Sequence, residues 1–143
     1  MNGTKLFSFL GCIGILSSLV LTVIFVIWLI FPYKVLDIKG DVTPVKGMVI
    51  AGETQYFHFN FCKYSNKQGV ASVMLVNLSI IHFPSYSVSM DKGCYNKTIP
   101  LLIPDFAETG EYKAVYSAAY RVNPLREITI IFESLPFRVE GLR

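Results

Sequence analysis

Between Lys5 and Lys34 the chain carries no charged residue, and residues 6–31 are nearly all apolar. At about 1.5 Å of rise per residue, a helix over this run is long enough to cross a bilayer with some tilt. It has no polar stripe of the kind that a helix covering a soluble core presents to water. The run therefore reads as an uncleaved transmembrane anchor, with residues 1–33 as cytoplasmic stub and span. Trp28 and Tyr33 suit the interfacial aromatic belt, and Pro32 stops the helix as it leaves the lipid.

Two alternatives compete for the same residues. A cleaved signal peptide has an apolar region of about 7–15 residues and a small-residue exit. This run is longer and leaves through Trp28-Leu29-Ile30-Phe31-Pro32-Tyr33. A lipoprotein signal is suggested by Phe9-Leu10-Gly11-Cys12, but the stronger apolar stretch follows Cys12 rather than preceding it. In the anchor reading Cys12 is an inert thiol. Ser8, Gly11, Gly14, Ser18 and Thr22 fall near one helical line. Small residues on one side let two helices approach closely, so this line is the candidate helix-contact face, for a partner or for self-association.

The orientation signals oppose each other. Lys5 precedes the span, whereas Lys34, Lys39 and Lys46 follow it, which by the positive-inside rule favours an inward C-terminal domain. Cys62 and Cys94, an even pair in a small β domain, favour an oxidising compartment. Long translocated domains follow the charge rule poorly. The expectation is N-terminus in the cytoplasm and residues 34–143 outside.

Residues 34–143 read as short strands separated by turn signals, with no amphipathic helix. Phe57, Phe59 and Phe61 alternate with His58, Asn60 and Cys62, the period of a half-buried strand. Residues 70–83 read as one long β run ended by Pro84, and Pro100 demotes the segment around it to a sheet edge. The lengths and spacings suggest an antiparallel two-sheet sandwich. Cys62 lies off the parity of the phenylalanines. A Cys62–Cys94 bridge would then staple the strand end to the loop around Asp91-Lys92-Gly93; two unpaired thiols are the alternative.

Two local resemblances sharpen the fold. Glu108-Thr109-Gly110-Glu111-Tyr112 resembles the turn before strand F of immunoglobulin-type domains, where the tyrosine hydroxyl bonds back to the backbone. Ser134-Leu135-Pro136-Phe137-Arg138-Val139 resembles the last strand of many Ig-like modules. Ala114 stands where the second core cysteine of an antibody domain would be, so the implied sandwich lacks that disulfide. Across the chain, Pro32-Tyr33-Lys34-Val35, Cys62-Lys63-Tyr64, Gly93-Cys94 and Tyr120-Arg121-Val122-Asn123-Pro124-Leu125-Arg126 resemble a group of short single-span membrane proteins of tailed bacteriophages. That resemblance implies a bacterial inner-membrane anchor and a periplasmic domain. It implies no catalytic residue.

Little in the sequence points to chemistry. The two histidines, His58 and His82, fall in expected strands, and no nucleophile elbow, zinc helix or phosphate loop is present. Asp105, Glu108 and Glu111 cluster at a turn, where carboxylates are usually solvated. The net charge of +3 and the absence of a basic run argue against nucleic acid. No cofactor or metal is expected. Asn77-Leu78-Ser79 and Asn96-Lys97-Thr98 match the glycosylation triplet but carry no meaning in a bacterial host, and Asn77 would fall mid-strand. Tyr112, Tyr116 and Tyr120 share one strand face and read first as core. Tyr64, Tyr86 and Tyr95, expected near loops, are the candidate interface residues, because tyrosine anchors dominate binding surfaces. The expected function is a non-enzymatic module tethered to the bilayer that engages an envelope or phage protein. The alternative is an accessory or structural subunit that works through its helix.

Overall fold

The structure is a computed structural model that describes residues 3–142, with side chains from Ile13 onward. It divides into two units, Met1–Tyr33 with Asn123–Arg126, and Lys34–Val122 with Glu127–Arg143.

The first unit is built on one helix, α1 (Gly3–Ile30). Its stretch Ile13–Ile30 has a mean hydropathy of 2.8 and is long and apolar enough to cross a membrane. The helix stops at Ile30, where the approach of Pro32 disfavours further helical backbone. Two of its hydroxyls are satisfied within the helix. Thr22 Oγ1 donates to the Ser18 carbonyl and Ser17 Oγ to the Gly14 carbonyl, each at 2.9 Å. That is how polar side chains stand in an apolar helix without orphaned groups. Gly14, Ser18 and Thr22 line one open side of α1. Ser8 and Gly11, the other two positions of the expected contact face, and Cys12 lie outside the residues whose side chains are described. Within the same unit, Asn123 Nδ2 donates to the Trp28 carbonyl and Arg126 Nη1 to those of Leu29 and Phe31. These donors occupy carbonyls that a helix end leaves unpaired.

The second unit is all β: β1 (Leu36–Ile38), β2 (Thr43–Pro44), β3 (Met48–Ile50), β4 (Thr54–Lys63), β5 (Gly69–Val76), β6 (Ile80–His82), β7 (Tyr86–Val88), β8 (Gly93–Leu102), β9 (Gly110–Asn123), β10 (Arg126–Glu133) and β11 (Phe137–Glu140). In the smaller sheet β4 is central. It carries β8 along one side, and β1 and β2 on the other. The larger sheet runs β3-β11-β9-β5-β6, with β10 also on β9 and β7 also on β5. β3 pairs with β11 in parallel, Val49 opposite Val139.

The two sheets meet through alternating side chains. On β4, Gln55, Phe57, Phe59 and Phe61 turn inward, as the period-two pattern requires. On β9, Tyr112, Ala114, Tyr116, Ala118, Tyr120 and Val122 do the same, small residues alternating with large ones. The alanines leave room for the rings of β4. Phe59 and Phe57 then sit edge-on to Tyr116, at 4.8 and 5.9 Å between ring centroids. Tyr116 stacks on Phe132 of β10 at 5.5 Å. Edge-on and stacked pairs of this kind add about 0.5–1.5 kcal/mol each beyond burial.

The structure corrects several sequence expectations. The run 70–83 is a hairpin of β5 and β6, closed by a turn in which Asn77 N–H donates to the Ser79 carbonyl. Asn77 is therefore in a turn rather than mid-strand. Tyr86 and Tyr95 lie on strands β7 and β8, not in loops. The disulfide is formed by Cys62 and Cys94, but it does not reach to a loop. The two residues face each other in the β4–β8 ladder, with Cα atoms 4.0 Å apart. Strand β8 begins at Gly93, earlier than the sequence suggests, because its full-length pairing with β4 overrides the Asp91-Lys92-Gly93 turn signal. Pro100 does lie on an edge, since β8 pairs with β4 alone.

Two measurements test this architecture. Tyr112 is buried and its hydroxyl donates to the Glu108 carbonyl at 3.1 Å. Tyr112→Phe should cost about 1–2 kcal/mol in urea unfolding, and Tyr64→Phe, on an exposed ring, much less. Cys62→Ser opens a cross-link spanning 32 residues. By the loop-entropy relation it should cost about 3–4 kcal/mol; a loss below about 1 kcal/mol would show that ladder pairing alone fixes β8.

Candidate functional site

The open side of the second unit, between the β4–β8 edge and the β5–β7 edge, holds two adjoining hollows. The inner one, about 70 Å³, is lined by Phe59, Phe61, Ala71, Tyr116 and Tyr120 among others. The outer one, about 570 Å³, opens past Phe83, Pro84, Val88, Met90 and Pro100. They share Phe61, Tyr86, Val88, Met90, Ile99 and Tyr116 as walls. The outer volume is that of a small-molecule site. Local sequence explains the opening. Pro84 ends β6, and β7 contributes only three residues before the chain crosses to β8. The sheets consequently close less completely here than around β11.

Tyr116 is a wall of both hollows. It is 4 % exposed, and its hydroxyl has no hydrogen-bond partner. Burial, and secondarily the nearby Tyr86, hold its ionisation well above the ordinary tyrosine range. The Ser117 hydroxyl is already paired with that of Ser72 at 2.7 Å. Tyr86 stands at the mouth, 45 % exposed.

A second unusual group lies at the end of β4. Lys63 shares the inward parity of Phe57, Phe59 and Phe61 and is 1 % exposed. Its Nζ donates to the Met90 carbonyl and lies 5.7 Å from the centroid of the Tyr120 ring. No carboxylate makes an ion pair with it among the described residues. Desolvation lowers its pKa, and the charge of Asp91 offsets part of that. Tyr120 can lie against β5 because position 69 is glycine: a Cβ there would stand 2.5 Å from the ring. The sequence reading missed Lys63, although counting strand parity through to residue 63 would have found it.

The candidate interface tyrosines do not form one cluster. Tyr86 walls the open side, Tyr95 packs on Phe61 at 5.5 Å from the inner face of β8, and Tyr64 follows β4 with Lys34 Nζ over its ring at 5.3 Å. His58 is engaged across the β4–β8 ladder, with Nδ1 2.8 Å from Thr98 Oγ1. Among the described residues, no three His, Cys, Asp or Glu side chains gather as a metal-binding group. The lining of the open side is mostly apolar, with the rings of Tyr86, Tyr116 and Tyr120, the Ser117 side chain and Lys97 as its polar members, a composition suited to holding an apolar group.

No protein-family model and no curated protein matches the chain. Among solved structures, it is similar to an alkylpurine DNA glycosylase of Pseudomonas fluorescens bound to DNA containing an abasic-site analogue, at 9 % identity and a TM-score of 0.46. That match covers 74 % of this chain and 30 % of the other. It is also similar to a variant β-glucosidase of Listeria innocua in complex with laminaribiose, at 11 % identity and a TM-score of 0.39, over 73 % of this chain and 16 % of the other. The chain thus spans less than a third of either protein.

Two substitutions probe the buried groups. Tyr116→Phe removes an unpartnered hydroxyl, so thermal unfolding should show stability unchanged or raised. Lys63 is penalised when charged, so between its lowered folded pKa and the ordinary 10.5 the unfolded chain binds more protons. Its contribution to stability therefore rises with pH through that window. The raised pKa values of Tyr86, Tyr116 and Tyr120 act oppositely above pH 10, so the comparison is with Lys63→Met, which keeps them. Wild type should gain on Lys63→Met as pH increases towards 10. A constant difference would mean that Lys63 keeps its charge at no cost.

Proposed function

We propose that the chain is a membrane-anchored, non-enzymatic interaction module whose β domain, of immunoglobulin-like topology, stands on the extracytoplasmic side. The observation that carries this reading is the Cys62–Cys94 bridge in a domain that follows the apolar, uncharged helical stretch Ile13–Ile30. Such a bond persists in an oxidising compartment and is rare in the cytosol. The immunoglobulin-like reading is supported by three features: β4 and β8 lie in one sheet and β5, β9 and β11 in the other, β3 runs parallel to β11, and the Tyr112 hydroxyl reaches back to Glu108. It departs from antibody domains in its disulfide, which lies within one sheet instead of joining two. The phage-like motifs set the module in a bacterial inner membrane, with a protein of the envelope or of a phage as its partner. Superinfection exclusion, by blocking DNA entry at that membrane, is one concrete form of that action.

A second reading, an accessory subunit of a membrane assembly, is favoured by the open line of Gly14, Ser18 and Thr22 on α1. Replacing the helix with an unrelated anchor separates the two: the module retains its effect and the subunit loses it.

The orientation is tested by fusing alkaline phosphatase, which needs periplasmic oxidation, after Arg143. Activity is expected; activity only from a cytoplasmic reporter at the same site would reverse the orientation. For function, cells expressing the chain are challenged with phages and their envelope proteins crosslinked to it. Protection and specific crosslinks should fall at least tenfold with Tyr64→Ala or Tyr86→Ala and survive substitution of His58, His82, Asp105 or Glu108. Loss of the effect from one of those four, with fold and crosslinks intact, would indicate catalysis instead.

A further inference from the structure

We propose that the turn between β9 and β10 is seated in the headgroup layer of the bilayer that α1 enters, with Leu125 at the acyl boundary and the Arg126 guanidinium holding a phospholipid phosphate. The inference rests on the anchor reading of α1 and adds a second lipid contact to it, far along the chain from the span.

The turn is fastened to the end of α1. Asn123 Nδ2 donates to the Trp28 carbonyl at 2.9 Å, and Arg126 Nη1 donates to the carbonyls of Leu29 and Phe31 at 3.0 and 2.7 Å. Asn123 Oδ1 accepts the Leu125 N–H at 2.9 Å, which fixes the turn itself. Whatever depth the end of α1 takes in a membrane, residues 123–126 share it. A guanidinium in hydrocarbon is costly, so Arg126 is held at the polar boundary. Residues 6–28 then lie below it, about 35 Å of helix against a hydrocarbon layer of about 30 Å. Trp28 and Tyr33 fall at the boundary, where aromatic belts form. The uncharged run is longer than a span requires, and Arg126 marks where the span ends.

The chemistry of the turn matches that layer. Leu125 is 52 % exposed, and Ile30 and Phe31, on the segment to which the turn is tied, are 73 % and 53 % exposed. At the headgroup–acyl boundary such side chains leave water. Arg126 supplies the polar half. Both of its bonds leave from Nη1, and its Nη2 and Nε have no acceptor among the described residues. No carboxylate pairs with it there either, and Glu127, next in sequence, takes the opposite face of β10. The remaining donors suit two oxygens of one phosphate, as guanidinium forks do. A free phosphate would meet the charge but leave Leu125 and Phe31 in water. A phospholipid meets both.

The full chain, reconstituted in liposomes of phosphatidylethanolamine and phosphatidylglycerol, is tested in two ways. In the first, a fluorophore is placed on Leu125→Cys, with Cys12→Ser removing the other free thiol while Cys62 and Cys94 stay in their bridge. A nitroxide high on the lipid acyl chain should quench it about threefold more than the same label on Leu78→Cys, a fully exposed position between β5 and β6, and aqueous iodide should do the reverse. A label on Leu19→Cys, within α1, should be quenched by a nitroxide deep in the acyl chain. In the second, the guanidinium carbons are isotope-labelled and their dephasing by lipid phosphorus is followed by solid-state NMR. One guanidinium of the chain's four should lie within about 5 Å of phosphorus, the reach of one N–H···O bond. Arg126→Gln should remove that signal while Leu19 stays quenched. Arg126→Lys keeps a cation on the helix-end carbonyls and should remove it too, which decides the matter if Arg126→Gln does not fold. Iodide quenching at position 125 with position 19 in lipid would overturn the proposal and leave the anchor standing; position 19 in water would overturn both. A label at 125 shielded from iodide and nitroxide alike would mean cover by another protein chain, and equal lipid quenching at 125 and 78 would mean a general adsorption of the chain to the surface. Either result overturns the proposal, as does guanidinium dephasing that is absent or survives Arg126→Gln.

Discussion

The β unit depends on a single aromatic interlock across its two sheets. Tyr116 of β9 receives Phe57 and Phe59 edge-on from β4 and is backed by Phe132 from β10. Phe57 also meets Phe137 of β11 at 5.5 Å. Five rings from four strands therefore fix how far apart the sheets stand and how they are aligned. Their geometry is directional, unlike aliphatic packing, and a slip of one residue in β4 would turn every phenylalanine to solvent. The alanines at 114 and 118 are the complement of this arrangement, since larger residues there would push the sheets apart.

The same interlock explains where the polar exceptions lie. Moving along β4 from Phe57 to Lys63, the inward row changes from aromatic to cationic. The Lys63 ammonium survives burial because the Met90 carbonyl and the Tyr120 ring face replace part of its water. Tyr116 has no such replacement, although its ring is the centre of the core.

Much of this was legible in residue order. The uncharged run gave α1, the alternating phenylalanines gave β4, the cysteine pair gave the bridge, and the Gly110-Glu111-Tyr112 turn gave the hydroxyl bond to Glu108. These features are local or depend on simple periodicity. What escaped was non-local. Residues 70–83 hold β-formers throughout, so nothing in their pattern marks the turn at Asn77; pairing with β9 and between β5 and β6 decides it. Tyr86 and Tyr95 were read as loop residues because glycine, proline and serine surround them, whereas ladder bonds to β5 and β4 hold them extended. An orphaned hydroxyl has no sequence signature at all. It is a statement about every atom that fails to approach it.

The parallel pairing of β3 with β11 has a temporal meaning. Met48–Ile50 finds its neighbour in residues 138–140, so the larger sheet stays incomplete until β11 has emerged. The β4–β8 and β5–β9 ladders can form earlier, but the interior near Val49 and Val139 remains open to water meanwhile. Such distant closure raises contact order and slows folding. A nascent chain halted before β11 would expose the apolar flank of β9 at an unpaired edge, a surface prone to joining the wrong strand. Strand β11 thus acts as a latch that withholds a closed fold from any copy lacking it.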